Sequence, residues 1–219
     1  MRKETIKMLK VLNRPTLERL FMYYHLINKH LDKNNGPTFC SALIAQMMDF
    51  DDTQVRKDLA AIGIRGRPHV GFVTLDVKNK IREILGFNEN YRAVVVGAGR
   101  LGGAIASYDE FSDYGLSIVA LFDNNPQKIG LTMGSHIVQP INRLRTIIHK
   151  RKAQLGIITV PTESAQNIAD RLISSGIKTI WNFSPANISI DKGGLVRHEH
   201  ISVGLAELLY HLKNRTGKY

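Results

Sequence analysis

The sequence predicts an α/β protein: an N-terminal winged helix-turn-helix domain, a Rossmann-type doubly wound parallel sheet, and a C-terminal dimerisation helix. Three observations carry this. The first is GAGRLG at Gly97–Gly102, preceded by the apolar run Ala93–Val96 and followed by a helix-like stretch, Leu101–Tyr108. The second is the alternation of apolar runs with helical patterns from there to residue 182, which a parallel sheet covered on both faces requires. The third is a pair of short helical patterns followed by a basic, glycine-containing segment between residues 41 and 73.

Residues 15–33 form a helix, with Pro15 and Thr16 at its start and Leu17, Leu20, Phe21, Tyr24, Ile27 and Leu31 on one apolar face. Asn34–Pro37 break it. Ser41 is placed to cap a helix through Met48 that turns Leu43, Ile44 and Met47 inward. After the polar turn Asp49–Asp52, either Asp51 or Asp52 caps a helix over Thr53–Ile62, which buries Val55, Leu59 and Ile62 and ends at Gly63. The second helix of such a pair carries the base readers. Its outward residues are Thr53, Gln54, Arg56 and Lys57, and Ser41 is grouped with them. The segment IRGRPHVGFV (64–73) has the alternation of a hairpin and would make a wing. Arg65 and Arg67 flank Gly66 there and suit a narrow minor groove of strong negative potential. Asp76–Leu85 form another helix capped by Gly86.

The junction falls at Gly86–Asn90. Beyond it, strands at 93–96, 117–122, 155–160 and 178–182 alternate with helices at 101–108, 141–151 and 164–175. Gly97 permits a tight turn, Gly99 lets backbone approach a pyrophosphate, and Gly102 lets helix pack on strand. Ala98, Arg100 and Leu101 complete the loop, whose helix N-terminus favours phosphate. Asp123 ends the next apolar run, 21 positions after Gly102, where an acid accepts hydrogen bonds from the adenosine ribose hydroxyls. Ligands in such sheets lie at the carboxyl ends of the strands, so Thr159-Val160-Pro161 and Asn182-Phe183-Ser184 should face the cleft. The last helix, Val203–Lys213, shows Leu205, Leu208, Leu209 and Leu212 on a stripe too broad for a solvated terminal helix. The domains are therefore expected at 1–85, 86–202 and 203–219.

Composition bounds the function. The 219 residues are 43% hydrophobic, and no stretch approaches the ~20 apolar residues of a membrane span. MRKETIKMLK lacks the apolar run of a secretory signal. Cys40 is the single cysteine, which excludes an intramolecular disulfide or a CxxC metal site and fits a reducing cytoplasm. It is expected to be a small buried residue. The formal charge of +11 favours a polyanionic partner. Residues 1–85 hold fifteen Lys/Arg and nine Asp/Glu, and the other 134 hold fifteen and ten.

Over nearly its whole length the chain resembles a known family. The segments RPTLERLFMYYHLI, DDTQVRKDLAAIG, GAGRLGGAIASY, LFDNNPQKIG, TVPTESAQNIADRLISSGIK and IWNFSPA, in this order, look like Rex, the bacterial redox-sensing transcriptional repressors. The resemblance implies a winged helix fused to an NAD(H)-binding Rossmann domain, in a homodimer that exchanges C-terminal helices. It implies binding to a palindromic operator when NADH is scarce and release when NADH binds. Asn124 and Lys128, in LFDNNPQKIG, join the cofactor-binding set. Arg19 matches the arginine coupling the DNA-binding domain to the core, and Tyr108 the tyrosine near the nicotinamide. The family aspartate at the start of the C-terminal helix is replaced by Ser202, and the bulky residue after it by Val203. Pro68-His69-Val70 look like a short insertion in the wing.

Two other readings compete. An NAD-dependent oxidoreductase with a fused helical domain needs a proton-handling group. No tyrosine here is followed four residues later by lysine, so the short-chain dehydrogenase pair is missing. The HEH at 198–200 lacks further spaced ligands and reads as a polar strand. A module for coenzyme A or another nucleotide is the second rival. Asp123 argues for a free ribose diol, and against NADP by repulsion of its 2′-phosphate.

Overall fold

Leu20, Tyr24 and Ile27 recur at helical spacing and draw Arg14–Asp32 into one long helix, α1, that buries them. The computed structural model of the protein describes residues 12–32, 36–191 and 193–215. It divides into two compact units, Met1–Asn88 and Glu89–Tyr219.

In the first unit, α1 is followed by β1 (Thr38–Phe39), α2 (Ser41–Met48), α3 (Asp52–Ala61), β2 (Phe72–Val73) and α4 (Thr74–Leu85). β1 and β2 pair antiparallel, stacking Phe39 on Phe72 at 5.6 Å. Asp51 caps α3 by accepting the N–H groups of Thr53 and Gln54, and Gly86 ends α4 in the left-handed region at φ +77°. Val55 and Leu59 of α3 and Ile62 at its end are buried, as are Ile44, Val77 and Ile81.

Leu17 and Phe21 stay at the surface, 36% and 39% exposed, while Tyr23 is fully buried. Its ring can go inside because its hydroxyl donates to Asp58 there. Met47 is 55% exposed. Ser41 does not cap α2; it is the first helical residue and is buried, and the extended residue before it, Cys40, holds the cap position without a side-chain bond. Cys40 is exposed, not buried.

The second unit contains β3 (Tyr91–Val96), α5 (Arg100–Ala106), β4 (Leu116–Asp123), β5 (Thr132–Met133), β6 (His136–Pro140), α6 (Leu144–Arg151), β7 (Leu155–Ile158), α7 (Thr162–Ser174), β8 (Thr179–Asn182), β9 (Leu195–His198) and α8 (Ile201–Arg215). The seven strands run in the order β5-β6-β4-β3-β7-β8-β9. All neighbours pair parallel except β5 with β6. Strand periodicity divides the core. Val94, Val96, Phe122 and Ile158 pack on Leu144 and Ile148 of α6 and Leu172 of α7. Ala93, Val95, Leu121 and Ile157 pack on the opposite face with Ile105 of α5.

β5 and β6 were not anticipated, since strands of 2–5 residues leave little periodicity to read, and the polar strand expected at 198–200 lies earlier, as β9 at Leu195–His198. The helix after the glycine loop stops at Ala106, so Tyr108 lies outside it, ahead of a 3-10 turn at Asp109–Tyr114. Ile141–Arg143 are a further 3-10 turn and not the start of α6. In α8, Val203, Leu205, Leu208 and Leu209 are 54–63% exposed.

Candidate nucleotide pocket and nucleic-acid interface

The turn from β3 into α5 needs glycine twice. Gly97 has φ +110°, a conformation L side chains rarely adopt. A Cβ on Gly102 would strike the Gly97 carbonyl oxygen and Thr159 Oγ1. That hydroxyl donates to Gly97 O at 2.8 Å, tying the end of β7 to the loop. Gly99 has open space where a side chain would stand and faces a cavity of about 770 Å³. The cavity lies at the carboxyl ends of the strands, between the loop, the end of β4 and the N-terminal part of α7.

Asp123 closes one side of it. Its carboxylate accepts the Ala98 N–H at 2.8 Å, the Asn125 N–H at 2.8 Å and the Lys128 ammonium at 3.1 Å. Burial pushes its pKa up, but these donors outweigh burial and hold the carboxyl below its ordinary value. The group is therefore an anion at neutral pH.

The sequence-derived residues separate into three groups. Gly97, Gly99, Asp123, Asn124, Lys128, Thr159, Val160, Pro161 and Phe183 line the cavity. Ala98 and Gly102 are buried behind it and shape the loop. Asn182 was expected to face the cleft but is fully buried. It donates to the carbonyls of Ser184 and Ala186 and accepts the Ser184 N–H, so it builds the loop that presents Phe183. Arg100, Leu101 and Tyr108 do not line the cavity. Tyr108 is exposed and donates to Glu110 at 2.6 Å; its ring meets Phe111, which leads through Trp181 to Phe183 at centroid steps of 4.9, 5.9 and 4.8 Å. Sequence reasoning missed Glu163, Asn167 and Arg171 on the cavity wall. Their i, i+4, i+8 spacing, opposite the buried face of α7, was the available signal.

In the first unit, Thr53, Arg56 and Lys57 are exposed on α3. Gln54 is half-buried and turned inward, donating to Asp58 Oδ1 at 2.9 Å, which corrects its placement among outward residues. Arg56 pairs with Asp52 at 2.8 Å. The wing is a tight hairpin. Arg67 and Gly71 exchange backbone hydrogen bonds, the Val70 N–H donates to Arg67 O, and His69 sits at φ +59°. Pro68-His69-Val70 are thus the loop of the hairpin itself. Gly66 lets the wing cross the Phe72 ring, 3.1 Å from where a Cβ would stand. A groove of about 720 Å³ runs between α3 and the wing, lined by Arg56, Arg65, Arg67 and the buried Ser41, among others.

Arg19 connects α1 to α3. Its guanidinium donates to both Asp58 oxygens, at 2.6 and 2.8 Å, and Asp58 also takes the Tyr23 hydroxyl. Burial pushes the Asp58 pKa up, but Arg19, Tyr23 and Gln54 together hold it below its ordinary value. Ser202 is exposed in the first turn of α8.

Residues 12–60 match a family described as the N-terminus of putative DNA-binding proteins, and residues 88–186 one described as a CoA binding domain. The redox-sensing transcriptional repressor Rex of Clostridium botulinum is 34% identical over 203 residues, covering 93% of this chain and 96% of the relative. That of Pelotomaculum thermopropionicum is 37% identical over 197 residues, covering 90% and 92%. The crystal structure of RSP in complex with β-NAD+ and operator DNA superposes with a TM-score of 0.88 at 30% identity, covering 94% of this chain and 95% of that one. RSP in complex with β-NADH gives 0.83 at 29% identity, covering 94% and 97%. These relatives are named as repressors, so the oxidoreductase reading gives way to a regulatory one. The chain belongs to the Rex family of redox-sensing transcriptional repressors.

Proposed function

We propose that this protein binds palindromic operator DNA as a homodimer when NADH is scarce, and releases it when NADH occupies the cavity behind the GAGRLG loop. The observation that carries this is the ionised Asp123 at the end of β4, facing a cavity that the glycine loop closes. About 770 Å³ lies within the range of cofactor pockets. The dinucleotide, when bound, supplies the redox signal through the two states of its nicotinamide. The chain's own residues hold it. Asp123 accepts from a ribose diol and repels a ribose phosphate, which favours NAD(H) over NADP(H) and coenzyme A. Gly97–Gly102 present backbone to the pyrophosphate, with Asn124 and Lys128 beside it and Thr159–Pro161, Asn182 and Phe183 shaping the far wall.

Thr53, Arg56 and Lys57 of α3, with Arg65, Gly66 and Arg67 of the wing, make the DNA surface, Ser41 and Gln54 supporting it from behind. Arg19, Tyr108 and Ser202 transmit the state of the cavity. The winged domain corresponds to 1–85, the nucleotide domain to 86–202 and the exchanged helix to 203–219. Among the described residues no helix is long and apolar enough to cross a membrane. A DNA-bound repressor with a lone cysteine works in the cytoplasm. The test is operator-fragment binding across a titration of the NADH/NAD+ ratio. Release must follow NADH; binding indifferent to the ratio contradicts the proposal.

A further inference from the structure

The second unit is electrically neutral except in one place. From residue 86 onward the chain has fifteen Lys/Arg and ten Asp/Glu; residues 143–152 hold five of those cations and no acid, so the remainder balances at ten against ten. Arg143, Arg145, Lys150, Arg151 and Lys152 are all exposed, on α6 and the turns at its two ends. Among the described residues no carboxylate pairs with any of them. The side of α6 carrying Leu144 and Ile148 is buried, and Arg145 and Lys150 stand off that side.

The sheet extends this patch. Ala93, Leu155 and Thr179 are level across β3, β7 and β8, so the residues before them lie side by side at the same end of the sheet. Two of these are Arg92 and Lys178, and Arg92 donates to Arg151 O at 3.0 Å, joining the strand edge to the end of α6. The other end of β3, Val96, lines the nucleotide cavity, so the patch occupies the opposite end of the sheet. Basic side chains clustered along a helix are the electrostatic footprint of a nucleic-acid contact. Cations at a helix C-terminus also favour the helix dipole, but that reason does not reach Arg143, Arg145, Arg92 or Lys178.

We propose that α6 and the adjoining edge of the sheet form a second DNA contact, sequence-independent and made to phosphates. It rests on the reading of the chain as a DNA-binding repressor and adds a surface that the winged domain does not supply. It serves affinity for DNA in general, leaving operator discrimination to α3 and the wing.

The experiment compares the full chain with the triple variant Arg145→Gln, Lys150→Gln, Lys152→Asn; asparagine is chosen because Lys152 is left-handed at φ +54°. Binding is followed against salt on an operator duplex, a scrambled duplex of equal length, and polyglutamate. Each lost phosphate contact should flatten the log–log salt slope by about 0.9, hence by about 2–3 for the triple variant on the scrambled duplex. The preference for operator over scrambled sequence should not change. Arg145→Glu alone, at an exposed helical position, should weaken scrambled-duplex binding in the same direction. Unchanged slopes in correctly melting variants overturn the proposal. So does loss of polyglutamate binding with unchanged DNA slopes, which would assign the patch to an acidic protein surface. If the wild-type chain shows no operator preference, the repressor reading fails, whereas the scrambled-duplex slope still tests the patch.

Discussion

Asp123 and Asp58 are both buried carboxylates saturated with donors, yet only one was readable in the sequence. Asp123 sits at a fixed distance beyond a glycine motif, and spacing alone singles it out. Asp58 lies in an ordinary-looking RKDL, and its partner Arg19 is 39 residues away, so nothing local distinguishes it from a solvated helical acid. Asp123→Ala removes a charge-assisted acceptor, which costs ~1.5–3 kcal/mol. NADH affinity in calorimetry should fall roughly ten- to a hundred-fold; no change removes Asp123 from the site. Asp58→Ala strands a guanidinium whose side chain is 19% exposed, and breaking such a pair costs ~3–5 kcal/mol. Thermal unfolding should move down and operator binding should be lost with it. Because the folded pKa of Asp58 is depressed, its contribution is present above the ordinary carboxylate value near ~4 and is lost as pH falls through the lower folded value. The acid limb of the stability curve should therefore flatten in Asp58→Asn; an unaltered limb contradicts the assignment.

At the scale of elements, long periodic segments were legible and short ones were not. The sequence resolves α1, α4 and α7, whose apolar faces repeat over three or more turns. It places β9 only roughly, at 198–200 where the strand is Leu195–His198, because four residues paired to β8 leave little periodicity to fix their bounds. α2 shows the limit differently: Met47 and Cys40 look like core residues by type, but only Ser41, Ile44 and Ala45 of that helix are buried. The glycine loop is the most constrained element. Gly102→Ala drives a methyl group into the Gly97 carbonyl and Thr159. Overpacking of this kind costs ~1–3 kcal/mol, and it opens the loop where it meets the cavity. NADH binding should be abolished while circular dichroism still reports a folded sheet; wild-type affinity would show that the loop can yield. In α8, truncation after Ile201 should give monomers or aggregates by sedimentation and remove tight operator binding, because an apolar stripe this exposed is covered by a partner chain. A stable monomer with full operator affinity would end that reading.

For the whole molecule, fold class and cofactor class were visible because several motifs stand in one order, each at a spacing its chemistry requires. Coupling between the cavity and the DNA surface is expected at Arg19, Tyr108 and Ser202 only through the family resemblance, since no local pattern of residues marks them. Arg19 already holds α3 through Asp58, and a ring path runs from Phe183 on the cavity wall to Tyr108. Ser202 puts a hydroxyl where the family resemblance expects an acid, which removes a charged partner and places the coupling toward the weak end of the usual ~1–3 kcal/mol, a factor of about 5–150. Linkage makes that factor reciprocal, so one measurement reaches the central claim: NADH affinity determined with and without saturating operator at fixed salt, repeated with Tyr108→Phe and Arg19→Ala. Operator should weaken NADH binding by the same factor by which NADH weakens operator binding, and both variants should shrink it. Equal NADH affinity in the two conditions would mean that the cavity and the DNA surface are uncoupled, and that this chain does not sense redox state through NADH.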